Sequence, residues 1–308
     1  MSQLTIVMYH YVRDISQSRY PKIKGLETTG FRRQLDYLCA NFNIVKAEDV
    51  IACVTQQKPL PEKSCFLTFD DGYKDHITHV LPELLSRNIQ GSFFPPVKPI
   101  VEREILDVNR IHFVLAAANE YSMLVDDVNS LCLERGISES DLMSYRNQYA
   151  IPSRMDIADV MYIKHMLQHV LPESIRNDIA SVLFQKYVKI SEKEFAEELY
   201  LSVEETKNLV YNGMYVGSHG YKHLWFNKEN IVSQRSEIDT SLKFLNDVGA
   251  RTKDWIMCYP YGAYNADTLG VLKERECALG LTTKVGMAEV TESGALELSR
   301  YDTNDFPQ

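Results

Sequence analysis

The chain has 308 residues, with 33 Lys and Arg against 42 Asp and Glu and a formal net charge of -9 at pH 7, a balance that argues against a phosphate-backbone partner such as nucleic acid. At 45% hydrophobic and 24% charged it has the composition of an ordinary soluble globular protein, long enough for one large α/β domain or a domain carrying an insertion. No stretch approaches the roughly 18 apolar residues of a membrane span.

Cys39, Cys53, Cys65, Cys132, Cys258 and Cys277 are far apart and form no CxxC pair, which suits a reducing compartment and gives no zinc-ribbon signal. The opening MSQLTIVMYHYV has no basic leader and a short apolar stretch that contains a histidine. It is expected to be a first buried strand rather than a signal peptide, and the expected location is the cytoplasm.

In chain order, LTIVMYHYV (4–12) is a strand candidate and FRRQLDYLCANF (31–42) spaces Phe31, Leu35, Leu38 and Phe42 as a helix does. NIVKAEDVIACV gives a short strand and then a helix. SCFLTF (64–69) is a buried strand running into Asp70 and Asp71, HVLPELLSRNI (79–89) a helix, and GSFFPP (91–96) a third strand. Strands alternating with helices imply βα units in a largely parallel sheet or barrel. From 101 to 212 the texture turns helical, in IHFVLAAANEYSML, IADVMYIKHMLQHVL and SIRNDIASVLFQKYV, so the expectation is one domain over 1–308 with a helical insertion at 101–212. The α/β pattern returns with MYVGSHG (214–220), the helix NIVSQRSEIDTSLKFLNDVG, the strand WIMCYPYG (255–262), the helix NADTLGVLKEREC and the strand ALGLTT.

Parallel α/β folds place their sites at the carboxyl ends of strands. Asp70, Asp71, Ser218, His219 and Tyr261 all fall there in this reading. Gly72 permits the turn that two neighbouring side chains need to converge, and two close carboxylates then need a proton or a metal between them. In isolation the same DDG would equally start a solvated turn or cap a helix. His219 and His223, four apart in SHGYKH, would share one face of a helical turn, and with one carboxylate they make a three-ligand metal site with an open position. His165 and His169 have the same spacing but no strand-end carboxylate near them in sequence, so surface or packing roles account for them. His76 and His79 are expected to line the helix after the turn. In CYPYGAYN, Pro260 and Gly262 shape a turn that can aim a backbone N–H into a pocket, or can serve as a plain loop.

Taken in order, TFDDGY, SHGYKH and YPYG resemble the polysaccharide deacetylase superfamily, the NodB-homology or carbohydrate esterase family 4 enzymes. MYHYV, FRRQLDYL and GSFFPP add to the resemblance, which covers 4 to about 100 and 213 to about 300. It implies an α/β fold of the irregular (β/α) barrel type and metal-dependent removal of acetyl from an N-acetylated sugar. By position, Asp70 would be the general base, Asp71, His219 and His223 would hold a divalent metal, zinc by family habit, and the Tyr261 backbone amide would stabilise the oxyanion.

The chain departs from the family pattern twice. Met257, Cys258 and Tyr259 stand before Pro260 where many members carry an arginine that orients the base, and no histidine follows His223 to act as the acid. His10, at the end of the first strand, is a candidate acid or substrate contact. Arg300 and Asp302 could tune Asp70, bind substrate, or pair within a terminal segment. The expected substrate is an acetylated or activated sugar in a surface-glycan precursor pathway, with the oligomeric state open. Two other readings stand beside it: hydrolysis of a cyclic amide or imide on a similar barrel, and a catalytically degenerate carbohydrate-binding protein.

Overall fold

The structure, a computed structural model, describes residues 2–153 and 156–307. The chain divides into two compact units, one made of residues up to Asp14, Gly25–Arg103 and Glu197 onward, the other of Ile15–Lys24 and Glu104–Ala196.

The first unit holds every strand: β1 (Ser2–Tyr9), β2 (Val12–Arg13), β3 (Leu26–Glu27), β4 (Asn43–Ile44), β5 (Ser64–Asp70), β6 (Ser92–Phe94), β7 (Tyr215–Val216), β8 (Trp255–Cys258), β9 (Cys277–Leu281), β10 (Ala288–Val290) and β11 (Tyr301–Asp302). The seven residues of β5 are all buried, as expected for a central parallel strand covered on both faces. β1 pairs in parallel with β5 from Leu4↔Ser64 to Tyr9↔Phe69. β5 pairs with β6, and β6 with β7, also in parallel.

Beyond β7 the ring continues through single bridges. Ser218 bridges Met257 of β8, β8 pairs with β9, and Leu281 of β9 bridges Leu298. The chain from Leu298 runs into β11, which pairs in parallel with β1. These links close an irregular barrel of short, interrupted strands, and β10 adds an antiparallel edge on β1. Val7, Tyr9, Leu67, Phe69 and Phe93 pack with Phe31, Leu35 and Leu38 of the helix Thr28–Asn41. Leu4, Ile6, Phe66, Ile256 and Leu279 form a second apolar cluster. Both faces of β1 and β5 are thus packed, which fixes the strand ends that carry the polar residues.

The second unit has helices and no strand among its described residues, with its core around Phe113, Phe195 and Phe184: the Phe113–Phe195 and Phe184–Phe195 ring centroids lie 4.6 and 5.3 Å apart. Its limits differ from 101–212 in two ways. The helix Val203–Tyr211 belongs to the first unit, where it precedes β7, and Ile15–Lys24 joins the second. Tyr20 explains the latter, because its ring packs edge-on against both Phe113 and Phe195. No described helix is long and apolar enough to cross a membrane.

Candidate active site

β5 ends at Asp70, which is 1% exposed. The next two residues both take left-handed backbone angles, Asp71 at φ 71° and Gly72 at φ 64°. A side chain at position 72 would put its Cβ 2.6 Å from Pro95 Cβ, so glycine is required there on two counts. The abrupt turn lets neighbouring aspartates face one interior, where simple strand alternation would separate them.

Two imidazole nitrogens converge on Asp71. Its Oδ1 lies 3.4 Å from His219 Nε2 and 3.3 Å from His223 Nε2. His219 Nδ1 is 2.7 Å from the Cys258 carbonyl oxygen, which can only accept. Nδ1 therefore carries a proton, and Nε2 is the nitrogen that faces Asp71. The other carboxylate oxygen, Oδ2, accepts a 2.6 Å hydrogen bond from the Tyr73 hydroxyl.

The histidine pair does not ride on a helix as its spacing suggests. Residues 219–225 form an irregular segment with Gly220 at φ 74° and His223 at φ 62°. The rings meet because the loop folds back, with centroids 4.8 Å apart.

The donor set fits a divalent cation. Asp71 Oδ1 and His223 Nδ1 are buried without a hydrogen-bond partner, an arrangement that costs free energy unless another group completes it. Burial acts to raise the Asp71 carboxyl, yet the His219 and His223 imidazoles beside it hold it well below the ordinary carboxylate range. Burial lowers His223 despite the pull of Asp71, which favours the neutral imidazole a metal needs. One carboxylate and two imidazoles leave coordination positions open, the mark of a catalytic rather than a structural site.

Asp70, His219 and Cys258 form a second group of possible ligands. It is the poorer set: Asp70 is already neutralised by a buried arginine, and burial pushes the Cys258 thiol up, away from the thiolate a metal requires.

That arginine is Arg300, itself 1% exposed. Its Nη1 lies 3.0 Å from Asp70 Oδ1 and 2.8 Å from Oδ2, while Nε donates to the Thr282 carbonyl at 2.7 Å. Burial acts to raise the Asp70 carboxyl, and Arg300, then His219 and His10, bring it below its ordinary value. Asp70 is therefore an ionised carboxylate beside the cluster, with both oxygens turned to a fixed cation. Asp302, the other candidate from the terminal segment, accepts instead from the Asn304 backbone N–H at 2.9 Å and caps a short turn.

His10 follows β1 and approaches the same carboxylate, with Nε2 4.0 Å from Asp70 Oδ2 and its side chain 40% exposed. His76 lies behind it, hydrogen-bonded through Nε2 to the His10 carbonyl at 3.1 Å, and burial pushes it down to about 4. Tyr261 sits in the turn Pro260–Gly262 at φ 58°. Its ring meets His223 edge-on at 4.6 Å and stacks on Trp225 at 4.2 Å and 6°. A Cβ at Gly262 would come 2.2 Å from Thr283 Oγ1, so that turn is as tightly specified as the one at Gly72.

Three groups went unassigned in the sequence reading. Tyr73 is the last residue of the quoted TFDDGY, and Trp225, one of two tryptophans, stands two residues after His223. Nothing in sequence marks the Cys258 carbonyl. His165 and His169 lie in the second unit, 3.1 Å apart between Nδ1 and Nε2. Among the described residues no third side chain joins them as a candidate metal ligand.

The polysaccharide deacetylase family model matches residues 159–279, which hold SHGYKH and YPYG and leave TFDDGY outside. YxkH of Bacillus subtilis (strain 168), a protein assigned to the polysaccharide deacetylases, is 29% identical over 96 residues, covering 31% of this chain. The match spans only 34% of that relative's length. Among solved structures, the Streptococcus pyogenes deacetylase PplD in complex with acetate has a TM-score of 0.59 at 16% identity, covering 97% of this chain and 92% of that one. IcaB from Ammonifex degensii has a TM-score of 0.54 at 17% identity, with 97% and 91% covered. The deacetylase domain of BpsB from Bordetella bronchiseptica has a TM-score of 0.54 at 16% identity, with 97% and 95% covered. At such identities the structures establish the fold. With the family model and the curated relative, they bear out the resemblance read from the motifs: the chain is similar to the polysaccharide deacetylases, and its fold is the irregular (β/α) barrel of the NodB-homology type.

Proposed function

We propose that this protein is a metal-dependent deacetylase that hydrolyses the N-acetyl group of a sugar. The observation that carries the reading is the separation of two adjacent carboxylates into different duties. Asp71 faces two imidazole nitrogens at 3.3 and 3.4 Å, whereas Asp70 faces Arg300 and stays outside that set.

Asp71, His219 and His223 would hold the metal, zinc by the chemistry of a two-histidine, one-carboxylate set. When bound, such an ion polarises the amide carbonyl and lowers the pKa of a water toward about 7. Asp70, ionised and oriented by Arg300, accepts the proton of the attacking water. His10, half exposed beside Asp70, supplies a proton to the departing amine and fills the role for which no late histidine is present. The Tyr261 backbone N–H is the protein's donor to the developing oxyanion. Trp225 stacked on Tyr261 gives an aromatic face beside His223, suited to the apolar face of a sugar ring.

Arg300 also bears on the alternative of a degenerate scaffold. That reading drew on the missing arginine of the third motif, and a guanidinium from the end of the chain stands against Asp70 in its place. The substrate class is N-acetylated sugars, either a glycan chain or an activated precursor. The test is acetate release by zinc-loaded protein from N-acetylated oligosaccharides and nucleotide sugars, alongside cyclic amides. Activity on an N-acetylated sugar that disappears in Asp70→Asn with metal content retained supports the reading. Ring opening of a cyclic amide without acetate release, or metal and sugar binding with no turnover of any substrate, replaces it.

A further inference from the structure

The loop bearing His219 and His223 has little regular structure of its own; the Val97 and Lys98 N–H groups hold its Gly220 and Tyr221 carbonyls, and one long helix fastens it at three further points. The helix Ile231–Asp247 buries Gln234, Glu237 and Ser241, at i, i+3 and i+7, on a single face. Ser241 Oγ lies 2.6 Å from Ser218 Oγ, at the entrance of the loop. Gln234 Nε2 donates to the Phe226 and Glu229 carbonyls at 2.9 Å each, at its exit.

Between these sits Glu237, 5% exposed, whose Oε2 accepts the backbone N–H groups of Tyr221 at 2.9 Å and Lys222 at 2.8 Å. Those are two of the three residues between the histidines. The third, Gly220, passes so close that an added Cβ would lie 3.3 Å from the same Oε2.

We propose that Glu237 is a positioning residue for the metal ligands: its carboxylate, anchored on a long helix, pins the backbone between His219 and His223 and so sets the approach of their imidazoles to Asp71. The inference rests on the metal reading of the site and extends it to a residue that touches none of the three ligand side chains. Without the two hydrogen bonds, the chain between the left-handed residues Gly220 and His223 keeps the bonds that the Gly220 and Tyr221 carbonyls accept from Val97 and Lys98 but loses those of the Tyr221 and Lys222 N–H groups, next to His223. Two adjacent N–H groups on one oxygen form a small anion-binding concavity, a geometry that shortening the side chain by one methylene disrupts.

The experiment is a competitive titration of zinc, and a direct titration of cobalt read by its visible absorption, on wild type, Glu237→Ala, Glu237→Asp and Glu237→Gln. Temperatures are chosen at which each variant is folded by circular dichroism. Loss of an outer partner of a metal site typically costs about 10- to 100-fold in metal affinity, and that is the loss expected for the Ala and Asp variants, with an altered cobalt spectrum. Gln keeps an oxygen at the same reach, and its affinity is expected within about threefold of wild type because one carbonyl oxygen can accept both N–H groups. A role confined to stability would lower the melting temperature of the Ala and Asp variants and leave metal affinity and spectrum unchanged in all three. Wild-type affinity in the Asp variant, which serves as the test if the Ala variant does not fold, overturns the proposal. A wild-type protein that takes up neither metal, or one whose uptake ignores His223→Ala, overturns the metal reading instead.

Discussion

Replacing Arg300 by methionine removes the cation that balances Asp70 and keeps most of the volume. The two side chains are 1% and 2% exposed and meet at 2.8 Å, so solvent screening offers no discount. Removing one partner of such a buried pair costs about 3–5 kcal/mol, mainly because the remaining charge is stranded. The hydrogen bonds to the Thr282 carbonyl and Thr68 Oγ1 are lost as well, so the pairwise part comes from a cycle of Arg300→Met, Asp70→Asn and the double variant. The double variant is expected to regain most of the stability lost by Arg300→Met, since asparagine needs no counter-ion. Trp225 and Trp255 are the chain's two tryptophans and both lie in the first unit, so tryptophan fluorescence during urea unfolding follows that unit alone. In wild type, Asp70 is lowered, against burial, by Arg300 and then by His219 and His10. A carboxylate with a depressed folded-state pKa contributes stability that is present above its unfolded value and lost as pH falls through the folded one. In Arg300→Met burial prevails, the Asp70 pKa rises above its unfolded value, and Asp70 contributes a penalty that grows as pH rises. The rising limb of kcat/KM against pH moves upward by the same cause. An Arg300→Met protein with the wild-type urea midpoint and pH profile refutes the assignment of Arg300 as the counter-ion of the base.

Three further perturbations address the other parts of the site. Tyr73→Phe removes the 2.6 Å hydroxyl bond to Asp71 Oδ2 and keeps the stack on Tyr11; zinc affinity is expected to fall about tenfold, and an unchanged competition titration would reduce Tyr73 to core packing. Trp225→Ala removes the partner stacked on Tyr261, and the loss of about 0.5–1.5 kcal/mol of ring stacking is expected as a raised KM for the sugar with kcat little changed; a fall in kcat alone would place Trp225 in the chemistry. His10→Ala is expected to lower kcat about 100-fold, the lower range for a proton-transfer group, while metal content by elemental analysis stays at wild type. An unchanged rate removes His10 from the mechanism.

The parts of this fold that obey local rules were legible in the sequence. β5 and the helices Thr28–Asn41 and Ile231–Asp247 lie within a few residues of the stretches that their apolar periodicity marked, because burial enforces period at those positions. The edge strand β10 and the closing strand β11 were not seen: they have three and two residues, too short for alternation to register. The helical unit was visible as a change of texture, but its recruitment of Ile15–Lys24 depends on Tyr20 meeting Phe113 and Phe195 across a long sequence separation. Arg300 was one candidate of two for the same reason. Sequence places Arg300 and Asp302 two residues apart, and only the pairing of β11 with β1 decides which of them reaches Asp70.

At the site itself local rules fail together, and that failure has a physical logic. Asp71, His223 and Tyr261 have φ of 71°, 62° and 58°, a region that side chains other than glycine enter at a cost of about 1–3 kcal/mol each. Such conformations persist only where the surroundings impose them. Here Asp71 is held by its N–H on the Phe94 carbonyl and its carboxylate on Tyr73, the His223 loop by Glu237, and the Tyr261 turn by the close approach of Gly262 to Thr283. The expectation of a helical turn for His219 and His223 was wrong because regular spacing presumes regular backbone. Here the loop brings both imidazoles to a single carboxylate oxygen through an irregular backbone, with Gly220 at φ 74° and His223 at φ 62°. The strain at three separate places therefore has a common result: each brings one polar or aromatic group to the same centre, Asp71 by its carboxylate, His223 by its imidazole and Tyr261 by its ring against His223.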